Sequence, residues 1–145
     1  MPSGTTYVYF TYGMYFCFNI SSIEPGAVVL IRAAEPLQGL ETMAKFRSVK
    51  KKGVLKETEL CNGPSKLCIA MNMTKQNCNK MDLCESEVLW IEDDGGKVEE
   101  KEIVISTRIG IASAGEEWAG KPLRFYVLSN PHVSKRDKKA ERELS

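Results

Sequence analysis

The sequence has few of the residues that most catalytic and metal-binding motifs require. Its 145 residues include one histidine, His132, and five cysteines, none of them in a CxxC pair. A zinc site therefore has few ligands to draw on, and a Ser-His-Asp arrangement would depend on a single loop histidine. The P-loop, GxGxxG, HExxH and GxSxG patterns are also absent. These absences argue against the enzyme classes that such motifs define, and we expect neither a metal nor a cofactor.

The sequence also lacks a long apolar run and a strong net charge. Its longest apolar stretch, residues 7–20, is too short for a transmembrane helix, and no basic region of a signal peptide precedes it. The net charge of +1 gives no global argument for nucleic acid. Hydrophobic content of 43% and charged content of 27% are ordinary globular values. We therefore expect a folded intracellular chain with reduced thiols and no membrane partner.

Aromatic residues are concentrated in one stretch, residues 7–19, which holds four of the five tyrosines and three of the five phenylalanines. Two runs rich in β-forming residues, 7–11 and 14–19, flank Tyr12 and Gly13. Glycine permits the positive φ angle of a tight reversal. The pattern therefore predicts a β-hairpin with Tyr12 at its tip, an exposed place for an aromatic side chain.

Alternation along the first of these strands leaves two interpretations open. Tyr7 and Tyr9 fall on one face, and Val8 and Phe10 fall on the other. The hairpin can be an ordinary core element, because aromatic runs are most often buried. The tyrosines can also form a platform that stacks on a planar ligand, while the tip enters something narrow. Both hold together if Val8 and Phe10 point inward.

Hydrophobic patterning predicts a mixed set of strands and helices in the rest of the chain. Strands are predicted at 27–34, 88–91, 103–111 and 123–128, and helices at 37–49 and from Pro64 onward. A loop or short helix is predicted around Trp118. We predict one domain over residues 1–133, followed by a charged, mobile tail at 134–145.

Three groups of positive charge each allow a structural and a functional interpretation. Arg32 lies in an apolar run, where it needs a partner unless it reaches solvent at the strand end. Lys66 follows the predicted helix start at Pro64, where backbone N–H groups favour an anion, or it is simply an exposed lysine. A basic patch near residue 50 is either a solvated surface or a phosphate contact. The members of this patch are Lys45, Arg47, Lys50, Lys51 and Lys52.

Five strings make the chain similar to a known family. They are YVYFTYGMYFCFNISS, VLIRAAEPLQGLETM, ELCNGPSKLC, RIGI and KPLRFYV. In this order they resemble the alkyladenine (3-methyladenine) DNA glycosylases of animals, over nearly the whole chain up to Val127. Such enzymes flip an alkylated or deaminated purine, of the 3-methyladenine or hypoxanthine type, out of the duplex and hydrolyse its N-glycosidic bond without a metal or cofactor.

The resemblance implies a fold, a setting and a partner. The implied fold is a single compact α+β domain around a curved antiparallel sheet, with peripheral helices and a protruding hairpin. The implied function is base-excision DNA repair by a monomer that acts on double-stranded DNA containing damaged purines. The implied location is the nucleus, with the mitochondrion as a second location.

The resemblance also assigns contacts with the DNA backbone and stack. Tyr12 matches the family tyrosine that wedges into the minor groove, where an aromatic side chain fills the gap left by the flipped base. Met14 matches the residue that packs beside this wedge. Lys66, with the helix start on which it lies, is expected to receive a phosphate, and so is Arg47.

A second set of matches assigns the pocket for the flipped purine. Tyr9 falls on one of the aromatic walls that stack the base, and Tyr7 lies nearby. Asn19 falls on the residue that crowds the exocyclic amine of guanine, which makes it a steric filter. Leu30 lines the pocket. Arg32 matches the arginine that helps to hold the attacking water, which would explain a charge inside an apolar run.

One departure from the family concerns catalysis. The family glutamate that deprotonates the water lies N-terminal to everything matched here, together with a histidine and a second tyrosine of the pocket. Glu24 and Glu35 occupy other places in the pattern. We therefore expect this chain to correspond to the C-terminal part of such an enzyme and to be inactive by itself. We also expect the strand at Tyr7 to expose an edge that the absent segment normally covers.

Two alternative functions remain open at this point. A truncated chain with an aromatic wedge and phosphate-binding groups can bind damaged or kinked DNA without cutting it. A single-strand nucleic-acid-binding module would instead use Tyr7 and Tyr9 as a stacking platform. Strong single-strand binding with no preference for lesion-containing duplex would favour the second alternative.

Overall fold

The computed structural model of the chain describes residues 1–49 and 53–144. Contacts within the chain divide it into two compact units, Met1–Asp93 and Asp94–Ser145. The predicted α+β class, with antiparallel sheets and helices, is confirmed. In the described ranges, no helix has the length and apolar character that a membrane crossing needs.

In the first unit, a three-stranded antiparallel sheet carries the hairpin. Strand β1 (Thr6–Thr11) pairs with β2 (Tyr15–Ser21), and β2 pairs with β3 (Val28–Leu30). The predicted hairpin is therefore confirmed. The third strand is shorter than the predicted 27–34 because the backbone soon leaves β2, and the Ala34 N–H donates to a carbonyl outside the sheet.

Three α-helices of the described residues accompany this sheet, and the first two confirm the helices predicted from the sequence. Helix α1 spans Leu40–Ser48, α2 spans Pro64–Ala70 and α3 spans Lys75–Cys78. Proline stands at the first position of α2, directly after Gly63, because its missing N–H costs nothing there. At the short α3, the side chain of Thr74 caps the N terminus.

Two apolar clusters form the core of the first unit. The first cluster contains Val8, Phe18, Cys68, Met73, Cys78 and Leu83, and the second contains Leu60, Cys61, Leu67 and Ala70. Val8 is completely buried, as its predicted inward face requires. The same prediction is wrong for Phe10, which is 52% exposed. Phe10 lies closer to the hairpin tip than Val8, and its ring packs against Phe16 instead.

The start of β1 does not have the open edge that the sequence predicts. Residues 79–82 run beside it, and the Thr6 N–H donates to the carbonyl of Met81 at 2.8 Å. The side-chain oxygen of Asn79 accepts the Val8 N–H at 2.9 Å. This chain itself therefore covers the start of the edge, as far as Val8, through a polar segment whose sequence gives no sign of the pairing.

The second unit is built on a two-stranded antiparallel sheet. Strand β4 (Ile103–Ser106) pairs with β5 (Arg124–Val127). Helix α4 (Glu116–Gly120) lies around Trp118, where the sequence predicts a loop or a short helix. The predicted strand over 103–111 is too long, since the sheet partner β5 begins at Arg124, opposite Ser106.

One predicted strand, 88–91, is absent. This stretch lies outside every strand of the described residues, and Val88, Trp90 and Ile91 are exposed. A short apolar run forms a strand only where another strand lies alongside it. The side chain of Leu89 instead packs against the first apolar cluster.

The segment predicted as a charged tail contains a hydrogen-bonded helix, α5 (Lys138–Leu144). The carboxylate of Asp137 caps this helix by accepting N–H groups of its first turn, and it also accepts the Ser106 hydroxyl at 2.6 Å. The Tyr126 hydroxyl donates to Glu141 at 3.0 Å. The described part of this segment is thus helical and bonded to β4 and β5, where the sequence predicts a solvated, mobile tail.

Candidate nucleic-acid interface

Strand register brings three predicted pocket residues into one row of the first sheet. Tyr7 on β1 pairs with Asn19 on β2, and Asn19 pairs with Leu30 on β3. Residues directly opposite each other in antiparallel strands present their side chains on the same face. The row therefore collects these side chains from three separate strands.

The next row contains the predicted arginine and a residue that sequence reasoning missed. Tyr9 pairs with Cys17. The Ile31 N–H donates to the carbonyl of Phe18 at 3.0 Å, so the register continues past β3 and sets Arg32 opposite Cys17. We call the side chains of the two rows the front face. The front face consists of Tyr7, Tyr9, Cys17, Asn19, Leu30 and Arg32.

The aromatic part of the front face is open to solvent. The ring centroids of Tyr7 and Tyr9 lie 5.6 Å apart with their planes at 31°, and more than a third of each residue is exposed. Burial of its hydroxyl raises the pKa of Tyr9, and Cys17 beside it adds to that rise. The hydroxyl of Tyr9 is therefore protonated at neutral pH, and the two rings provide a surface on which a planar base can stack.

Asn19 is buried, and the backbone orients its amide. The side-chain nitrogen Nδ2 donates to the carbonyl of Tyr7 at 3.2 Å and to that of Cys17 at 3.5 Å. Because one end of the amide is held by two carbonyl groups of the sheet, the side chain has a fixed direction. A steric filter needs such a fixed direction.

Cys17 lies in the middle of the second row. Burial raises the pKa of its thiol, while a hydrogen bond with Tyr9 and the positive charge of Arg32 offset part of the rise. The thiol is therefore protonated at neutral pH and is a poor nucleophile. A signal for this residue was present in the sequence, because Cys17 precedes Asn19 by two positions and strand alternation puts both on one face.

Arg32 lies two residues beyond β3 and is half-buried. A guanidinium stays protonated in proteins, so it can orient a water molecule or a carboxylate but cannot remove a proton. The six residues of the front face include no carboxylate. Glu35, the acidic residue nearest to Arg32 in the sequence, is exposed.

Tyr12 stands at the hairpin tip, as predicted. Its φ is 53° and that of Gly13 is 65°, while the Met14 N–H closes the turn on the carbonyl of Thr11 at 3.1 Å. Positive φ at both central residues is the requirement of a type I′ turn, which favours Asn-Gly. Tyr12 is nevertheless 82% exposed, and Met14 is 57% exposed. An exposed aromatic ring thus occupies a backbone position that asparagine would fit with less strain.

The position of Arg47 differs from that expected of a phosphate contact. The residue is 6% exposed, and its Nη1 donates to the carbonyl of Glu59 at 2.5 Å and to that of Leu60 at 2.6 Å. Burial lowers the pKa of the guanidinium. This geometry supports a structural role, in which Arg47 ties α1 to the segment before α2.

The other basic residues of the prediction differ in how exposed they are. Lys66 is half-buried in the first turn of α2, and its aliphatic stem lies beside Gly63, where an added Cβ would be 3.5 Å from Cδ of the lysine. Lys45 is exposed on α1. The remaining members of the predicted patch, Lys50, Lys51 and Lys52, lie outside the described residues.

The chain is similar in sequence to DNA glycosylases from several organisms. The chain is 51% identical to the DNA-3-methyladenine glycosylase of Homo sapiens, over 99% of this chain and 49% of that protein. It is 49% identical to the DNA-3-methyladenine glycosylase of Rattus norvegicus, over 97% and 45% of the two chains. It is also 49% identical to the probable DNA-3-methyladenine glycosylase of Encephalitozoon cuniculi, over 92% and 62%.

A family model for methylpurine-DNA glycosylase matches residues 1–131. The chain therefore belongs to the methylpurine-DNA glycosylase family, and the family resemblance found in the sequence is confirmed. The chain spans about half the length of the mammalian relatives it matches.

Proposed function

We propose that this chain carries the damaged-purine-binding surface of a DNA glycosylase that acts in base-excision repair. The observation that carries the proposal is the strand register, which assembles the front face on the sheet whose hairpin ends in the exposed Tyr12. Membership of the methylpurine-DNA glycosylase family supports it. The partner is double-stranded DNA with an alkylated or deaminated purine, such as 3-methyladenine or hypoxanthine.

The hairpin tip opens the base stack. A glycosylase cannot reach its target bond inside the duplex, so the nucleotide must leave the stack. Tyr12 enters the minor groove, fills the gap left by the extruded base and opposes its return. Met14, exposed in the same turn, packs beside this wedge. Lys66 receives a phosphate of the DNA backbone and helps to set the register of the duplex.

The front face receives the extruded base. Tyr7 and Tyr9 offer their rings for stacking, which contributes about 1–3 kcal/mol per base in proteins that bind single-stranded nucleic acid. Asn19, whose amide is held by two carbonyl groups, crowds the place of the 2-amino group of guanine. Adenine and hypoxanthine lack that group, so they are accepted. Leu30 completes the row with an apolar contact.

Catalysis requires a group from outside the front face. Arg32 orients the attacking water but remains protonated, so it cannot be the general base. A general base contributes about 10²–10⁴-fold to the rate. We propose that the carboxylate that activates the water lies outside these 145 residues and that the chain by itself has no appreciable glycosylase activity.

Release of free base from a duplex with one hypoxanthine tests this proposal. The chain alone is expected to release none above background. The chain fused to the part of the Homo sapiens relative that it does not cover is expected to release hypoxanthine, and Arg32→Gln in this fusion is expected to slow the release. Full activity of the chain alone would mean that one of its own carboxylates, with Glu35 the nearest candidate, is the base.

A second candidate function follows from the exposure of Tyr7 and Tyr9. Two open rings at stacking distance also suit a module that binds single-stranded nucleic acid. Such a module would bind a single strand at least as tightly as a lesion-containing duplex. It would also be indifferent to substitution of Tyr12, since no stack has to be opened.

A further inference from the structure

Phe10 is a large apolar side chain that neither the front face nor the core accounts for. It lies on the opposite face of β1 from the tyrosines, yet it is 52% exposed. Its ring packs on Phe16, directly opposite on β2, with the centroids 5.1 Å apart and the planes at 50°. Phe16 in turn packs against the first apolar cluster. Phe16 thus connects Phe10 to the core.

The Phe10–Phe16 pair lies between the base of the hairpin, which other residues support, and the strained turn at its tip. On the outer edge of β1, the side chain of Asn79 supports the backbone as far as Val8. At the tip, Tyr12 has a φ of 53°, a conformation that a residue other than glycine keeps only where its surroundings hold it. A free two-stranded ribbon is marginally stable in water, and cross-strand aromatic pairs stabilise it. Between these two points, the Phe10–Phe16 pair provides such a contact.

We infer that Phe10 is a positioning residue for Tyr12. By packing against Phe16, it keeps the end of the hairpin ordered, so that Tyr12 is already in place when the tip meets the duplex. The inference rests on the proposed function of Tyr12 as the wedge. Phe10 acts through the tip and makes no essential contact of its own with the DNA.

Amide hydrogen exchange at the tip tests the positioning role without DNA. In the Phe10→Ala chain, exchange of the Met14 amide, which closes the turn on the carbonyl of Thr11, is expected to rise about fivefold, the size expected for the loss of one aromatic pair. The amide of Val8, at the base of the hairpin, is expected to keep its protection. The matched variant Phe10→Leu retains an apolar contact and should restore most of the protection. Unchanged tip exchange in Phe10→Ala would overturn the inference.

A double-mutant cycle tests whether Phe10 acts through Tyr12. Phe10→Ala is expected to weaken binding to a hypoxanthine-containing duplex about fivefold and to leave binding to the corresponding single strand unchanged. In a chain that already carries Tyr12→Asn, Phe10→Ala should cost nothing further, because the residue it positions is gone.

Two outcomes of the cycle would overturn the inference. If the losses in duplex affinity caused by Phe10→Ala and Tyr12→Asn add in the double variant, Phe10 makes a DNA contact of its own. If the unsubstituted chain does not prefer the lesion-containing duplex, the wedge role fails and this inference fails with it. The exchange experiment separates that case from a failure of Phe10 alone, because it reports on the order of the tip without DNA.

Discussion

The two units of this chain are stabilised by different kinds of interaction. The first unit has two apolar clusters, and the first of them includes Val8 and Phe18 from one face of its sheet. In the described part of the second unit, Val104 is the one fully buried apolar side chain. The first unit can therefore leave the rings of Tyr7 and Tyr9 open to solvent, because apolar packing on the opposite face of the same strands stabilises it.

The second unit depends on hydrogen bonds and ion pairs around Tyr126. The tyrosine hydroxyl accepts the Asp137 N–H at 2.8 Å and donates to Glu141 at 3.0 Å. Arg136 donates to the same glutamate at 3.0 Å, and the side chain of Arg124 donates to the Ser106 hydroxyl at 3.1 Å. We therefore expect apolar truncation to affect the first unit most, acid to affect the second, and changes at the hairpin tip to affect binding with little effect on either.

The largest effect is expected from a truncation in the core of the first unit. Leu67 is 2% exposed in the second apolar cluster, and Leu67→Ala should lower the free energy of unfolding by about 3 kcal/mol through lost transfer energy and a residual cavity. Chemical denaturation measures the change. The control Ile23→Ala, at a residue that is 88% exposed, should change it little. Equal effects of the two variants would contradict the account of the first unit.

The next largest effect is expected at Arg47. In Arg47→Met, two carbonyl groups lose their charged donor, which should lower the free energy of unfolding by about 1–3 kcal/mol. The salt dependence of DNA binding should remain unchanged, because a buried arginine neutralises no phosphate. Lys45→Met, at an exposed position of the same helix, is the control for stability. A smaller salt dependence in Arg47→Met would restore Arg47 as a phosphate contact.

Acid is expected to loosen the second unit. The hydrogen bond from Ser106 lowers the pKa of Asp137, and that from Arg136 lowers the pKa of Glu141. Both carboxylates therefore stabilise the folded unit at pH values above their ordinary pKa, and this contribution is lost as the pH falls through the lowered values. Below about pH 4, the NMR signals of α5 should lose their folded shifts before those of the first unit.

A variant with one carboxylate removed sharpens the acid experiment. Asp137→Asn cannot titrate at this position, so the second unit should be weaker at neutral pH and less sensitive to acid than in the unsubstituted chain. Identical pH profiles of α5 in the two chains would show that Asp137 does not carry the effect.

The smallest effect on stability is expected at the hairpin tip. Tyr12→Asn should raise the free energy of unfolding by up to about 1 kcal/mol, because asparagine tolerates positive φ better than tyrosine. The same change should weaken binding to a lesion-containing duplex more than binding to a single strand. Loss of stability on this substitution would contradict the backbone strain at Tyr12, and equal losses on both DNA forms would contradict the wedge assignment.

The sequence predicts those parts of the first unit whose signals are local. The β-forming runs around Tyr12 and Gly13 predict the hairpin, and Pro64 after a glycine predicts the start of α2. Strand alternation predicts the shared face of Tyr7 and Tyr9. Which strand lies beside which is a tertiary property, so assignment of the pocket residues to one site needed the family resemblance.

The parts that the sequence does not predict depend on distant partners. The sequence of residues 79–82 does not indicate that they pair with the start of β1. The sequence of the basic patch does not indicate that Arg47, among its members, donates to two carbonyl groups. The apolar run 88–91 lacks a strand partner, which patterning cannot detect. Helix α5 had a usable signal in Asp137, a favoured N-cap residue before helix-forming residues, but its high charge favoured the interpretation as a tail.

The central claim is that the front face and the tip together bind a damaged purine in duplex DNA. The most direct test is a titration of the unsubstituted chain, at one fixed salt concentration, with two duplexes that differ only in one hypoxanthine in place of adenine. The account predicts that the hypoxanthine-containing duplex binds at least about fivefold more tightly, since a mispaired base leaves the stack more easily. It also predicts that Tyr9→Ala abolishes the difference. Equal affinity for the two duplexes, or a preference that survives Tyr9→Ala, would contradict it.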